Sequence, residues 1–178
     1  KAGYSDAEMH IVVPPDAAKK GNLIARLKAT SSDKVNSKKP LLMLAHIDVV
    51  EAKREDWIRD PFKLIEEDGF FYARGASDDK AMAAIFVANM MRYKKERLTT
   101  NRDLILALTC DEELVPAKHN GVEYLLKHHR DLIDAEFALN EGGGGVLDEN
   151  GKPKFLSLNV GEKIYQDYDL VVTNAGGH

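Results

Sequence analysis

Two stretches of this chain, Leu41–Ile47 (LLMLAHI) and Leu104–Cys110 (LILALTC), are almost entirely apolar. A run with no polar face suits a strand covered on both sides, as in a parallel sheet with helices packed on each face. The surrounding pattern agrees. Asp79–Glu96 places Ala, Met and Phe at helical spacing, with Asp78 and Asp79 at its start and Lys94, Lys95 and Arg97 at its end. Acids at the start and bases at the end complement the helix dipole. Asn120–His129 reads as a shorter helix carrying Val122, Leu125 and Leu126, and Glu136–Leu139 as a third short strand. Upstream, Glu8–Val13 is β-prone and stops at Pro14–Pro15, and Gly21–Ala29 alternates as a strand does. Ser31–Pro40 is a polar loop, and Phe62–Tyr72 predicts a hairpin turning at Glu66-Glu67-Asp68-Gly69. Phe155–Val160 and Lys163–Thr173 predict late strands. Strands alternating with helices give the expected class: α/β, with a mostly parallel central sheet flanked by helices.

Composition narrows the function. The net charge is −4 and no basic stripe stands out, which argues against a nucleic-acid partner. Cys110 is the only cysteine, so neither an internal disulfide nor a Cys-rich zinc module can form. No apolar run is long enough to span a bilayer, and no membrane partner is expected. The chain starts at Lys1 without Met and stops at Asn174-Ala175-Gly176-Gly177-His178, so a piece of a longer protein is expected. The compartment stays open.

The chemistry-bearing residues fall in an ordered series at the ends of these elements. His46 and Asp48 share a face if the strand stays extended, so Asp48 could hold the ring through its non-metal nitrogen. A satisfied strand-end histidine beside an acid is the plainer reading. Asp78, in Arg74-Gly75-Ala76-Ser77-Asp78-Asp79-Lys80, could bridge two metals or simply cap the helix. Asp79 reads as a helix-start residue. Asp111-Glu112-Glu113 follows a buried strand: either a solvated turn, or one Glu binding metal while its neighbour takes a proton from water. Glu141 precedes Gly142–Gly145, which is either a linker or a backbone free to pass close to a ligand. Trp57, Phe62 and the Met82, Met90 and Met91 group read as packing, His10 as structural, and Cys110 as a small buried apolar residue. His119, His128 and His129 are poor substitutes for a ligand. Strand ends on one sheet edge meet in space, so these positions point to one site.

Together the motifs HIDVV, RGASDDK, TCDEE and LNEGGGG, over Leu41–Gly145, resemble the catalytic domain of the zinc-dependent aminoacylase and carboxypeptidase family. Asp48-Val49-Val50 through Trp57, Pro61 and Phe62 is similar to its carboxypeptidase S branch. The resemblance implies a three-layer zinc-exopeptidase fold and two Zn²⁺, with Co²⁺ or Mn²⁺ as substitutes. His46, Asp78 and Glu141 would serve the first zinc, with Asp78 bridging, Glu113 binding the second and Asp48 orienting His46. A cis peptide is implied after Asp78. Glu112 would be general base and acid, acting on metal-bound water. The family closes the second zinc with a further His that has no counterpart here. His178 resembles the start of the lid or dimerisation domain, where a His helps stabilise the oxyanion. Residues 1–173 would then be catalytic domain and 174–178 the start of the lid, through which a homodimer would form.

The implied substrate is a small peptide or an N-acyl amino acid. Exopeptidase activity, as a carboxypeptidase or dipeptidase, is expected ahead of deacylation. A non-catalytic relative is disfavoured because Glu112 and Asp78 are both retained. A nucleotide-binding α/β domain is disfavoured because no glycine-rich phosphate motif follows the first buried strand.

Overall fold

The computed structural model describes residues 2–30, 38–158, 160–161, 163–164 and 166–177. It separates into two compact units, Lys1–Glu141 and Gly142–His178.

The first unit is built on five strands in the order β1 (Met9–Val12), β2 (Asn22–Leu27), β6 (Leu104–Thr109), β3 (Leu41–His46) and β7 (Phe137–Leu139). Strand β6 pairs antiparallel with β2 (Leu23 opposite Leu108) and parallel with β3 (Leu41 opposite Leu104). Strand β7 pairs parallel with β3, and β1 antiparallel with β2. Four strands therefore point one way and β2 alone opposes them. The hairpin β4–β5 (Ile65–Glu67, Phe70–Tyr72) and helix α1 (Lys80–Glu96) link β3 to β6. Helices α2 (Gly121–His128) and α3 (Arg130–Ile133) link β6 to β7.

These crossovers cover opposite faces. Ala83 and Met90 of α1 pack on Ala25, Leu27, Met43, Ala45, Leu106 and Leu108. Leu125 of α2 and Ile133 of α3 pack on Ile24, Leu42, Ile105 and Ala107. The result is the expected three-layer α/β arrangement. Apolar residues successive along β3 and β6 face opposite layers, which is why both runs lack a polar face. Burying each large aliphatic side chain contributes about 1.5–3 kcal/mol.

Local chemistry closes the elements. Helix α1 runs 17 residues without Gly or Pro and ends at Arg97, whose left-handed φ of 53° lets its N–H reach the Tyr93 and Lys94 carbonyls. Asn120 caps α2, its side chain accepting from the Glu123 N–H. In the β4–β5 hairpin, Asp68 and Gly69 have φ of 53° and 79°, the positive pair a two-residue turn of this hand requires. Glu8 accepts a hydrogen bond from Lys94 Nζ at 2.6 Å, and Tyr4 Oη donates to the Met90 carbonyl at 2.9 Å. Both contacts fasten the N-terminal segment to α1. The Lys94 bond and those from Ser5 hold the Glu8 carboxyl down at about 2, while burial pushes the Tyr4 hydroxyl up to about 12.

The second unit contains one antiparallel hairpin, β8 (Gly144–Leu147) with β9 (Pro153–Ser157). Its loop is held by Asp148, whose Oδ1 accepts from the Asn150 and Lys152 amides.

Several expectations need correction. The described residues of Lys163–Thr173 form no strand, and Ile164 and Leu170 are exposed. Alternation produces a strand only where a neighbouring edge takes up the backbone hydrogen bonds. Gly144 and Gly145 open β8, and a Cβ at either would meet nothing within 4 Å. Phe62, in the turn before β4, is 71% exposed and Met91 49%, so neither is buried in the core. Met90 is core, and Met82 packs beside it. Helix α3 and strand β8 carry too few apolar residues to stand out in sequence.

Two outcomes follow from the packing. A Cβ on Gly121 would sit 2.0 Å from Asn22 Oδ1 and 2.9 Å from the Cys110 amide. Gly121→Ala should therefore destabilise by about 2–3 kcal/mol in urea denaturation, while Gly144→Ala, where a Cβ meets nothing, should change little. Because the folded Glu8 pKa lies below its ordinary value, its contribution is present above about 4.5 and lost as pH falls toward about 2. Glu8→Gln should cost about 1 kcal/mol at neutral pH, and the deficit should vanish in strong acid, read from denaturation curves across pH.

Candidate metal centre

Strands β3, β6 and β7 run parallel, so His46, Cys110 to Glu113, and Asn140 to Glu141 emerge at one sheet edge. The turn before α1 brings Asp78 and Asp79 to the same edge. At the end of β3, His46 is 3% exposed, and its surroundings fix it on every side. Its backbone N–H donates to Asp79 Oδ2 at 3.3 Å. Ring Nδ1 lies 3.2 Å from the Asp48 carbonyl and 3.5 Å from Asp48 Oδ1. Ring Nε2 faces Asp78 Oδ1 at 2.9 Å, Glu141 Oε1 at 3.6 Å and Glu112 Oε2 at 4.0 Å.

With Nδ1–H donating to a carbonyl, the neutral ring would leave its Nε2 lone pair for a cation held together with those acids. Asp48 thus orients His46 mainly through its backbone oxygen. Its carboxylate has a second task, accepting the Glu113 N–H at 3.1 Å through Oδ2 and so joining the loops after β3 and β6. Among the described residues Asp48 Oδ1, although buried, has no hydrogen-bond partner. Asp79 heads α1 as expected, but its side chain makes no cap: it is buried against His46. The Asp78–Asp79 peptide is cis, as the resemblance implied.

Electrostatics marks the cluster as short of positive charge. Burial raises the pKa of Glu112, Glu141 and Asp79, and neighbouring acids raise it further while His46 opposes them. Burial opposes charge on His46, but its contact with Asp78 and the charges of Glu141, Asp48 and Glu112 outweigh that and lift its pKa. The nearby ammonium groups are engaged elsewhere: Lys20 with Asp111, and Lys80 with the Ile47 carbonyl. A divalent cation is what such a set accommodates, and one imidazole with carboxylates suits zinc, manganese or cobalt.

Among the described residues, His46, Asp78 and Glu141 form a group whose ligand atoms all lie within 4.8 Å of one another. Glu112 stands at its rim. Glu113 is outside that group and is placed through its backbone bond to Asp48. His178 lies outside the described residues. His119 faces Asp16 at 3.8 Å, while His128 and His129 pack on Tyr124. Sequence reasoning missed Lys20 and Asn22, which support the loop after β6. The available signal was the antiparallel register, which runs Lys20 opposite Asp111 when continued past Leu23–Leu108.

Beside the Asp48 and Asp78 loops runs an apolar groove of about 660 Å³, walled by Val49, Phe62, Leu64, Phe71, Ala84 and Ile85. Among the described residues no helix is long and apolar enough to cross a membrane.

The fold and cluster together define an α/β protein with a carboxylate–imidazole site at the ends of its parallel strands. Residues 42–171 match the model of peptidase family M20/M25/M40, and the chain belongs to that family. It is 32% identical over 147 residues to the human N-fatty-acyl-amino acid synthase/hydrolase PM20D1, covering 80% of this chain and 28% of that protein. It is 34% identical to rat aminoacylase-1A over 61% of this chain and 26% of the relative. Among solved structures it is similar to the M20 family metallo-carboxypeptidase Sso-CP2 from Sulfolobus solfataricus (TM-score 0.51, 31% identity, 74% of this chain and 28% of that one). The chain thus spans little more than a quarter of the length of each of these three proteins.

The convergence on His46 Nε2 predicts that zinc at a hundredfold excess over its Kd stabilises the fold by about 2.7 kcal/mol. His46→Ala should abolish that increment, measured as the difference between unfolding curves with and without zinc.

Proposed function

We propose that this chain carries the metal site and general base of a hydrolase that cleaves a peptide or N-acyl amide bond, working as a carboxypeptidase or dipeptidase. The observation that carries the reading is the convergence of Asp78, Glu141 and Glu112 on one buried imidazole nitrogen. His46, Asp78 and Glu141 would hold one divalent cation, and Asp78 with Glu113 a second, zinc by preference. When bound, the pair supplies Lewis acidity at the scissile carbonyl and acidifies water.

The chain's own groups do the rest. The Asp48 carbonyl fixes the His46 ring so that Nε2 stays directed at the cluster. Glu112 takes a proton from the attacking water and returns it to the leaving nitrogen. Its Oε2 lies 4.0 Å from His46 Nε2, at the rim of the cluster, within reach of a water held there. No covalent acyl-enzyme is needed. Stabilisation of the oxyanion by His178, and pairing of two chains through a lid domain beginning at 174–178, belong to the same proposal.

A second reading is N-acyl-amino-acid deacylation. It is favoured by the apolar groove beside the Asp48 and Asp78 loops, whose walls suit an acyl chain, and by the acyl-amino-acid relatives. Mass spectrometry of products separates the two: free C-terminal residues mark the peptidase, free acyl acids the deacylase.

Glu112→Gln should lower turnover by about 10²–10⁴-fold with the zinc content unchanged. Near-normal turnover in that variant would remove Glu112 from the role of base.

A further inference from the structure

The loop after β6 delivers Glu112, and it is held more tightly than a run of three acids requires. Its first acid, Asp111, is 3% exposed and has a left-handed φ of 57°. Aspartate reaches that region more readily than most residues, but a buried one needs partners. Two residues, Lys20 and Asn120, provide them, and further bonds hold Cys110 before it and Glu113 after it. From the segment before β2, Lys20 Nζ donates to Asp111 Oδ1. Asn120, which also caps α2, donates through Nδ2 to the Asp111 carbonyl at 3.1 Å. Asn22 Oδ1 accepts from the Cys110 amide at 3.2 Å, and the Gly121 N–H donates to the Cys110 carbonyl at 2.7 Å. Beyond Glu112, Asp48 Oδ2 accepts from the Glu113 N–H.

Glu112 is therefore a side chain between two anchored neighbours. Of these anchors Lys20 is the one that is cationic, and the charge it meets is nearly fully buried, the Asp111 side chain being 5% exposed. Neither Lys20 nor Asp111 belongs to the convergent ligand group.

We propose that Lys20 is a positioning residue for the hydrolysis: by pairing with Asp111 it locks the left-handed turn that aims the Glu112 carboxylate into the site. The inference rests on the reading of Glu112 as general base. Without the ammonium, Asp111 becomes a buried unpaired carboxylate whose easiest relief is to turn toward water, and that rotation carries Glu112 with it. A misaimed base loses rate, while groups that hold substrate are untouched.

The test compares Lys20→Met, Lys20→Arg, Asp111→Asn, the Lys20→Met/Asp111→Asn double variant and Glu112→Gln in the zinc-loaded protein. For each, kcat and KM for a small peptide or N-acyl amino acid, zinc content and folded fraction by circular dichroism are measured. Lys20→Met should lower kcat ten- to a hundredfold per folded molecule, with KM within about twofold and zinc content unchanged. Lys20→Arg should recover most of that loss. The double variant should be no worse than the poorer single, because both act through one turn.

Wild-type kcat in Lys20→Met, losses that multiply in the double variant, or a fall in activity that only tracks the folded fraction would each overturn the proposal. If Lys20→Met does not fold, Lys20→Gln removes the charge while keeping a donor, and is judged by the same kcat criterion. An active Glu112→Gln overturns the base assignment and the Lys20 role with it. An inactive Glu112→Gln beside a fully active Lys20→Met overturns the Lys20 role alone.

Discussion

Burial of β6 on both faces and along both edges is the constraint on which the first unit depends. All six of its residues, Leu104–Thr109, are buried. Such a strand has no solvent to satisfy its backbone, so β2 and β3 must pair with it on either side. The pairing with β3 is parallel and in register from Leu41–Leu104 to His46–Thr109, so both strands end level. His46 and the acids after Thr109 thereby reach the same edge. A slip of one residue would exchange the faces of β3 and dismantle both apolar layers, so the register that places the site is enforced by the core.

The site built on that edge inverts the chemistry of the core beneath it. A buried imidazole is surrounded by carboxylates, and burial pushes Glu112 and Glu141 toward their neutral forms. Such an arrangement stores mutual repulsion, which a bound cation would relieve. The polar groups just outside the cluster divide the work of holding it. Asp48 ties the β3 and β6 loops together, Asp79 receives the His46 amide, and Asn22, Asn120 and Lys20 anchor the turn at Cys110–Asp111.

Much of this was legible in residue order. The doubly buried strands, the α1 helix, the Asp-Gly hairpin turn and the acidic positions at strand ends are local signals, each set by a short-range rule of periodicity, turn geometry or dipole. The motifs Leu41–Gly145 also carried the family resemblance, which agrees with the family match over residues 42–171. Lys163–Thr173 shows the limit of local signals: it alternates well, yet its described residues form no strand. Whether an edge is there to receive it is not a property of the segment.

Residue types and spacing by themselves thus settled the α/β class, the elements of the core and the set of acids offered to one edge, because periodicity and apolar content act over a few residues. Only tertiary packing decided which atoms of those acids do what. Asp48 uses its carbonyl on the ring and its carboxylate on the Glu113 amide, and Asp79 turns inward to His46 instead of capping α1. Asp111 finds its counter-charge on Lys20, 91 positions away in the chain. Each of these is a choice between partners brought together from distant segments, and a buried polar group takes whichever partner the surrounding packing places within reach.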